Sequence, residues 1–417
     1  MSLADERTLA ALRSRGGLRR LPELAGAPAA FRRVLRTLAQ SWLSGTITFA
    51  LPSGREVRLA GDHEGPDARM VIHDFRCMRR VITAADVGFA EGYMAGEWDS
   101  PDLSALLVAF SLNWDRLALA INGHPLVRAI HTAGHLLRAN TRKGARRNIH
   151  AHYDLGNAFY AQWLDRTMTY SSARYEAPGQ PLDQAQTHKY RTLAQSLDLK
   201  PGMQVLEIGC GWGGFAEFAA REAGAHVTGI TISEEQHAFA RRRMFRQGLS
   251  EAVDIRLIDY RDVEGAFDRV VSIEMFEAVG ERYWPTYFGK IREVLEPDGR
   301  AGLQIITIKD DLFDQYRSRT DFIQKYIFPG GMLPSPARLK AATATAGLAW
   351  REAAWFGQHY ADTLAEWAVR FERAWDGIRD LGFDERFRRL WRFYLSYCEA
   401  GFRGERTDVV QLTLARA

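Results

Sequence analysis

Gln204-Val-Leu-Glu-Ile-Gly-Cys-Gly-Trp-Gly213 is the stretch that decides the fold. It begins as a short buried strand and ends where a helical pattern starts and runs to Arg221. Gly209, Gly211 and Gly213 lie between the two, and they allow a tight turn and the close approach of a ligand to the backbone. The third glycine comes one residue earlier than in the G-x-G-x-x-G turn of dinucleotide folds. We therefore predict a strand–turn–helix unit whose ligand-binding loop differs from the dinucleotide turn.

Strands and helices alternate along the chain after this unit. A strand over His226–Thr231 is followed by a helix over Glu234–Arg246. Further strands are predicted over Val253–Ile258, Phe267–Ser272, Ala301–Ile306 and Thr407–Leu414. This alternation is typical of an α/β fold with a mostly parallel sheet and helices on both faces. Such sheets bind ligands at the carboxyl ends of their strands, so we expect the site there.

The residues before about 140 are organised differently. The patterns over Gly45–Gly54 and Glu56–Leu59 predict a hairpin, and Met70–His73 is expected to pair with it. From Ala84 the pattern is helical. We therefore predict a smaller N-terminal α+β domain over residues 1–140, with a lipid-binding or accessory role, and a second domain over residues 141–417.

Charge and composition narrow the class of protein. The 417 residues carry a formal net charge of +4, which is too small to argue for nucleic acid as a partner. The three cysteines have no metal-ligand spacing, so no metal site is expected. The chain starts without a signal-peptide pattern, and no segment has the roughly 20 apolar residues of a membrane span. We therefore expect a protein of the reducing cytoplasm.

Basic residues are concentrated in two stretches. The first basic stretch contains Arg7, Arg13, Arg15, Arg19, Arg20, Arg32, Arg33 and Arg36, and the second contains Arg138, Arg142, Lys143, Arg146 and Arg147. Solvated helix faces are one explanation. The other is attraction to anionic lipid headgroups, to which each basic residue near the surface contributes about 1 kcal/mol.

Longer strings of sequence carry a family resemblance. The glycine loop, with Glu207 before it, resembles the S-adenosylmethionine loop of class I methyltransferases, whose fold is Rossmann-like. The strings are His152–Asn157, Met168–Ser172, Leu206–Gly214, Val227–Gln236, Asp259–Asp262, Met275–Gly280 and Lys325–Gly330. In this order and spacing they resemble the cyclopropane-fatty-acyl-phospholipid synthase and mycolic-acid cyclopropane synthase family. The resemblance covers residue 148 to the end, with a weaker match over Ala90–Trp98.

The resemblance implies that residues 141–417 are an S-adenosylmethionine-dependent methyltransferase domain. The residues that would hold the cofactor are Tyr170 and Ser171 at its methionine part, Glu207, Gly209, Gly211 and Gly213 in the loop, Thr231, Ile232 and Gln236 at the ribose, and Asp259, Tyr260 and Arg261 at the adenine. For the residues at the adenine, a solvated loop is the alternative.

A bicarbonate ion beside the reacting carbons is also implied by the resemblance. Its ligands would be Ser172, Glu277, Gln304, the backbone of Ile306, and Tyr360, and Cys398 matches a cysteine regarded as functional in the family. The family normally has cysteine at position 172, histidine at 304 and histidine where Ala278 follows Glu277. Serine and glutamine still donate hydrogen bonds to an anion. Proton relay through an imidazole is lost, which bears on the product more than on methyl transfer.

The expected reaction is methyl transfer to the double bond of an unsaturated acyl chain in phospholipid, which leaves a carbocation. Such a cation needs a dry pocket and aromatic faces. Tyr153, Tyr170, Phe276 and Tyr360 are candidates for those faces, with core packing as the alternative. Bicarbonate held by Glu277 and Tyr360 would then take a proton, unless Glu277 is only a helix-start acid. Loss of the proton from the new methyl closes a cyclopropane ring, whereas a hydride shift before that loss gives a methylene branch.

Three other interpretations stay open. A methylene- or methyl-branched acyl chain keeps the fold and changes the product. A small-molecule N-methyltransferase needs no carbocation stabilisation, and the retained Glu277, Tyr360 and His152–Asn157 argue against it. The intact glycine loop argues against a non-enzymatic lipid-binding protein. For the enzyme we expect peripheral contact with the inner face of the cell membrane, and a homodimer stays open.

Overall fold

The computed structural model describes residues 26–121 and 155–417. The strands within them are β1 (Ser44–Ala50), β2 (Glu56–Ala60), β3 (His63–Ile72), β4 (Trp98–Asp99), β5 (Gln204–Ile208), β6 (His226–Thr231), β7 (Val253–Leu257), β8 (Phe267–Ile273), β9 (Leu295–Ile308), β10 (Leu348–Trp355) and β11 (Thr407–Arg416). The α-helices are α1 (Ala29–Ser41), α2 (Arg76–Met94), α3 (Leu103–Ile121), α4 (Asn157–Trp163), α5 (Leu182–Ser196), α6 (Gly214–Ala223), α7 (Glu234–Arg246), α8 (Trp284–Val294), α9 (Asp310–Arg317), α10 (Phe322–Tyr326), α11 (Pro336–Thr345), α12 (Gly357–Arg373), α13 (Trp375–Asp380) and α14 (Glu385–Arg403). None of these helices combines the length and the apolar character that crossing a membrane requires.

The described residues form two compact units. The first contains residues 26–121, 318–322 and 383–404, and the second contains residues 155–317, 323–382 and 405–417. The predicted domain boundary near residue 140 lies outside the described residues, as do Tyr153, the second basic stretch and the first five residues of the first basic stretch, Arg7 to Arg20. That α14 belongs to the first unit was not predicted from the sequence.

The first unit is built on a four-stranded sheet with the order β2-β1-β3-β4. The predicted hairpin is confirmed, since β1 and β2 pair antiparallel. The predicted strand at Met70–His73 is confirmed in β3, which pairs with β1 in parallel. Arg389 of α14 donates to the carbonyls of Tyr93 and Trp98 and forms an ion pair with Asp99 at 2.9 Å. These bonds join α14 to residues that are distant in sequence.

The second unit has a seven-stranded sheet with the order β10-β11-β9-β8-β5-β6-β7. The strands β5 to β9 pair in parallel with one another, and β11 pairs antiparallel with β9 and β10. The predicted α/β fold is confirmed, and the helix predicted over Glu234–Arg246 has those bounds. The carboxyl ends of β5, β6 and β8 therefore meet at one edge of the sheet.

Apolar side chains cover both faces of this sheet, as expected for parallel strands. Leu206 and Val270 lie in a buried cluster with Phe288 of α8. Their neighbours Val205 and Val271 lie in a second cluster, which contains residues of α6. Successive residues of a strand point to opposite faces, so one strand supplies both clusters. This packing leaves the ends of the strands for polar residues.

Candidate active site

The glycine loop, residues 209–213, lies at the carboxyl end of β5. The amides of Gly209 and Cys210 donate to the carbonyl of Ile230, at 3.0 and 2.9 Å, and tie the loop to β6. Gly209, Gly211 and Gly213 have φ values of +81°, +53° and +81°, a region that favours glycine. A Cβ on Gly209 would lie 2.7 Å from Cγ of Met275, whereas a Cβ on Gly211 would have no atom within 4 Å. The loop therefore has open space for a ligand at Gly211.

The residues predicted at the ribose lie at the end of β6 and the start of α7. The hydroxyl of Thr231 donates to Oε1 of Gln236 at 2.9 Å and accepts from the amide of Ser233 at 3.1 Å. Ser233 caps α7 by accepting from the amide of Gln236. Ile232 is half-buried between them. The structure thus brings Thr231 and Gln236 together, and their role at the ribose stays a prediction.

The residues predicted at the adenine follow β7. Both carboxylate oxygens of Asp259 accept from the guanidinium of Arg261, at 2.8 and 2.5 Å. That guanidinium lies over the rings of Tyr260 and Tyr283, 5.4 and 5.9 Å from their centroids. Burial raises the pKa of Tyr260 to about 12. Asp259 therefore orients Arg261, and the two tyrosines offer flat faces beside it.

Aromatic rings form a cluster between the glycine loop and α12. The ring of Tyr170 lies 5.3 to 5.7 Å from those of its neighbours Tyr160, Trp163 and Trp367. Trp212 of the loop packs on Tyr160, and Tyr360 packs on Trp367. We call these six residues the aromatic cluster: Tyr160, Trp163, Tyr170, Trp212, Tyr360 and Trp367. Aromatic faces attract cations such as a sulfonium. Phe276, by contrast, packs in the core against Trp284 and Tyr287.

Glu274, which the sequence interpretation overlooked, collects most of the ligands predicted for bicarbonate. It directly follows β8 and has a φ of +51°. Its Oε1 accepts from the amide of Ser172 at 2.9 Å and from Nε2 of Gln304 at 2.7 Å. Its Oε2 accepts from the hydroxyl of Tyr360 at 2.5 Å. Ser172 takes part only through its backbone, because its hydroxyl donates to the carbonyl of Ala173.

Glu277 and Ile306 form a separate pair. Oε1 of Glu277 accepts from the amide of Ile306 at 2.6 Å. Its Oε2 is buried and has no hydrogen-bond partner among the described residues. Burial, and then the charge of Glu274, raise the pKa of Glu277 to about 8. Cys398 lies on α14 of the first unit, and desolvation raises the pKa of its thiol.

The donors predicted for bicarbonate do not fit an additional anion. The amide of Ser172, the amide group of Gln304 and the hydroxyl of Tyr360 already bind the carboxylate of Glu274. The amide of Ile306 already binds Glu277. A second anion would also lie against the half-buried charge of Glu274, and two like charges at contact distance repel each other.

Two further residues, neither of them predicted, support this arrangement. Nε2 of Gln411 donates to Oε1 of Gln304 at 3.2 Å, which turns the NH2 group of Gln304 toward Glu274. Lys189 is fully buried and donates from Nζ to the hydroxyl of Ser171 at 2.7 Å. Its charge attracts the carboxylates of Glu274 and Glu207, while burial lowers its pKa to about 7. Lys189 therefore places a buried amine close enough to Glu274 and Glu207 for its charge to act on both.

The stability that Glu207 and Glu277 contribute should fall as the pH rises from 5 to 7. Burial raises the pKa of Glu207 and of Glu277 from 4.5 to about 8. A raised pKa means that the folded state binds more protons, so this stability is full below about 4.5 and lost as the pH rises through about 8. In urea unfolding, the free energy of unfolding should fall less steeply with pH for Glu277→Gln than for the wild type. Equal slopes would show that Glu277 titrates in the same way in the folded and unfolded chains.

The mycolic acid cyclopropane synthetase family model matches residues 140–412. The tuberculostearic acid methyltransferase UfaA1 of Mycobacterium tuberculosis is 42% identical over 346 residues, which cover 81% of this chain and 81% of that protein. The cyclopropane-fatty-acyl-phospholipid synthase of Escherichia coli K12 is 36% identical over 353 residues, which cover 84% of this chain and 88% of the relative.

Solved structures are similar as well. The cyclopropane synthase MmaA2 from Mycobacterium tuberculosis has a TM-score of 0.62 at 29% identity, covering 67% of this chain and 99% of its own. The mycolic acid cyclopropane synthase CmaA1, in complex with SAH and CTAB, has a TM-score of 0.61 at 29% identity, covering 64% of this chain and 97% of its own.

Proposed function

Since the chain belongs to the mycolic acid cyclopropane synthetase family and is an S-adenosylmethionine-dependent methyltransferase, we propose that it methylates the double bond of an unsaturated fatty acyl chain in membrane phospholipid. One observation carries the proposal: the half-buried carboxylate of Glu274 accepts a hydrogen bond from Tyr360 of the aromatic cluster, and the next residue, Met275, lies against Gly209 of the glycine loop. A carbocation formed there would face aromatic rings and a fixed negative charge. Methylation of an amine requires neither.

The cofactor would lie along the edge formed by the strand ends. Its methionine part would lie over the open space at Gly211, with the sulfonium near Tyr170 of the aromatic cluster. Thr231 and Gln236 would receive the ribose, and Tyr260 would face the adenine. When bound, the cofactor supplies an electrophilic methyl group, and the residues of the chain orient it and exclude water.

The first candidate product is a cyclopropane ring on the acyl chain. The phospholipid substrate is supported by the Escherichia coli relative, which is named a cyclopropane-fatty-acyl-phospholipid synthase. The second candidate is a branched chain, favoured by glutamine in place of histidine at position 304 and by the relative named a tuberculostearic acid methyltransferase. Ring and methylene branch are isomers, so both need only the methyl donor and a base. A saturated methyl branch would also require a hydride donor.

The test is to incubate the protein with methyl-labelled cofactor and vesicles of an unsaturated phospholipid. We expect label in the acyl chains, and none when the acyl chains are saturated. Free unsaturated fatty acid and its thioester, tested in parallel, identify the acyl carrier. Ozone then separates the products, because it cleaves a methylene branch and leaves a ring intact. Label in a small amine, with none in lipid, would overturn the proposal.

Membrane contact is proposed through the two basic stretches. Binding to vesicles with anionic headgroups should weaken as salt rises, because ions screen surface charge within about 10 Å at 0.1 M. Co-sedimentation should also weaken when Arg138, Arg142 and Lys143 are replaced by glutamine. If binding does not change with lipid charge, with salt or with these replacements, the basic residues are only solvated surface residues and do not bind the membrane.

A further inference from the structure

We propose that the carboxylate of Glu274 takes the place of the bicarbonate ion and accepts the proton that the methylated acyl chain loses. This inference rests on the proposed function for its substrate. It starts from the disagreement described above: the donors expected to hold a free anion hold a side chain of this protein instead.

The site is built to keep Glu274 in place and charged. Ser172, Gln304 and Tyr360 donate three hydrogen bonds to its two oxygens, and an ionised carboxylate can accept all three. Gln411 donates to Oε1 of Gln304, so Gln304 faces Glu274 with its NH2 group. Gln304 therefore donates to Glu274 and does not accept a proton from it. The φ of +51° at Glu274 is a costly conformation for a residue with a side chain, and such strain persists where the surroundings fix it.

The hydrogen bonds of the two carboxyl groups favour Glu274 over Glu277 as the base. Glu277 has one amide donor, and its second oxygen has no partner among the described residues. Burial raises the pKa of both carboxyl groups, but Glu274 alone is compensated by three donors together with the charge of Lys189. A carboxyl group that is mostly protonated near neutral pH is a poor acceptor for a proton.

The step balances without any co-reactant beyond the cofactor. The π electrons of the double bond form a bond to the methyl carbon, the carbon–sulfur bond breaks, and S-adenosylhomocysteine leaves with that electron pair. A C–H bond of the new methyl group then breaks. Its electrons close the ring onto the cationic carbon or, after a hydride has shifted from the methylated carbon to the cationic one, form the double bond of the methylene. The proton passes to an oxygen of Glu274, which becomes a neutral carboxylic acid and later releases the proton to water.

The decisive experiment compares turnover in carbon-dioxide-free buffer with turnover after bicarbonate is added. The wild type should be indifferent to bicarbonate. Glu274→Gln should lose about 10²–10⁴ in rate and stay inactive, because its amide fills the space and accepts no proton. Glu274→Gly should lose as much and recover in part, saturably, with bicarbonate or formate. Glycine suits the positive φ, so this variant is expected to fold and to bind the cofactor in calorimetry.

A second readout needs no lipid turnover. In a ¹³C NMR titration, labelled bicarbonate should bind Glu274→Gly and not the wild type. If bicarbonate binds only Glu274→Gly while neither the wild type nor any variant methylates lipid, the proposed lipid substrate is wrong. The proposal that Glu274 replaces bicarbonate is then still supported. Bicarbonate-dependent wild-type turnover, or bicarbonate binding to the wild type, would overturn the inference. So would Glu274→Gln at the wild-type rate. The matched variant Glu277→Gln should lose less than Glu274→Gln, and the reverse order would return the base assignment to Glu277.

Discussion

Replacing Gly209 by valine is expected to lower the affinity for S-adenosylmethionine by more than about 100-fold, or roughly 2.7 kcal/mol. Two causes act together. The φ of +81° is costly for a β-branched residue, and the new Cβ would lie 2.7 Å from Cγ of Met275. Met275 follows Glu274, so the disturbance should reach the base as well as the loop. Calorimetric titration with the cofactor, after circular dichroism has verified folding, measures the loss.

Gly202 and Gly211 provide the controls for this experiment. Gly202 has the same φ of +81° and no atom within 4 Å of its would-be Cβ, and it precedes β5 at the other end of that strand. Gly202→Val should therefore cost stability and leave cofactor affinity intact. Gly211→Ala meets no protein atom, so it should fold and still weaken binding if the cofactor occupies that space. Wild-type affinity in a folded Gly209→Val protein would remove the loop from the cofactor site.

Much of the fold could be predicted because its signals are local. Each predicted strand of the α/β sheet shows either a short apolar run or an alternation of apolar and polar residues, and each contributes residues to a buried face. The helix Glu234–Arg246 could be placed to the residue because Ser233 caps it and two acids fill its first turn. The grouping of α14 with the first unit could not be predicted, because it depends on contacts between residues far apart in sequence, such as Arg389 with Tyr93.

The site was predicted less completely, for a physical reason. Glu274 did carry a signal, since an acid directly after a buried strand lies at the carboxyl edge where ligands bind. The family string Met275–Gly280 begins one residue later, and it directed attention to Glu277 instead. Lys189 and Gln411 lie within a helix and a strand, and nothing local marks them. Their importance arises only when the chain folds and leaves their polar groups buried among carboxylates and amides.

Lys189→Met should destabilise the protein by about 1–3 kcal/mol at pH 6, because the buried hydroxyl of Ser171 loses the donor that it binds. Lys189 is fully buried, and Glu274, Asp165 and Glu207 all draw on its charge. At pH 6, below the pKa of about 7, the amine is protonated and the loss of a cation is tested directly. Without it, the pKa of Glu274 should rise, so any remaining activity should shift to higher pH.

The double variant Lys189→Met/Glu274→Gln separates an ionic interaction from packing. If the amine compensates Glu274, neutralising both should cost clearly less than the sum of the single changes, since neither partner is left buried and uncompensated. Urea unfolding of the four proteins at one pH gives the coupling. If the losses in the free energy of unfolding are additive, Lys189 stabilises the protein through its hydrogen bond to Ser171 and its position over the Tyr190 ring. Glu274 would then owe its charge to Ser172, Gln304 and Tyr360 alone.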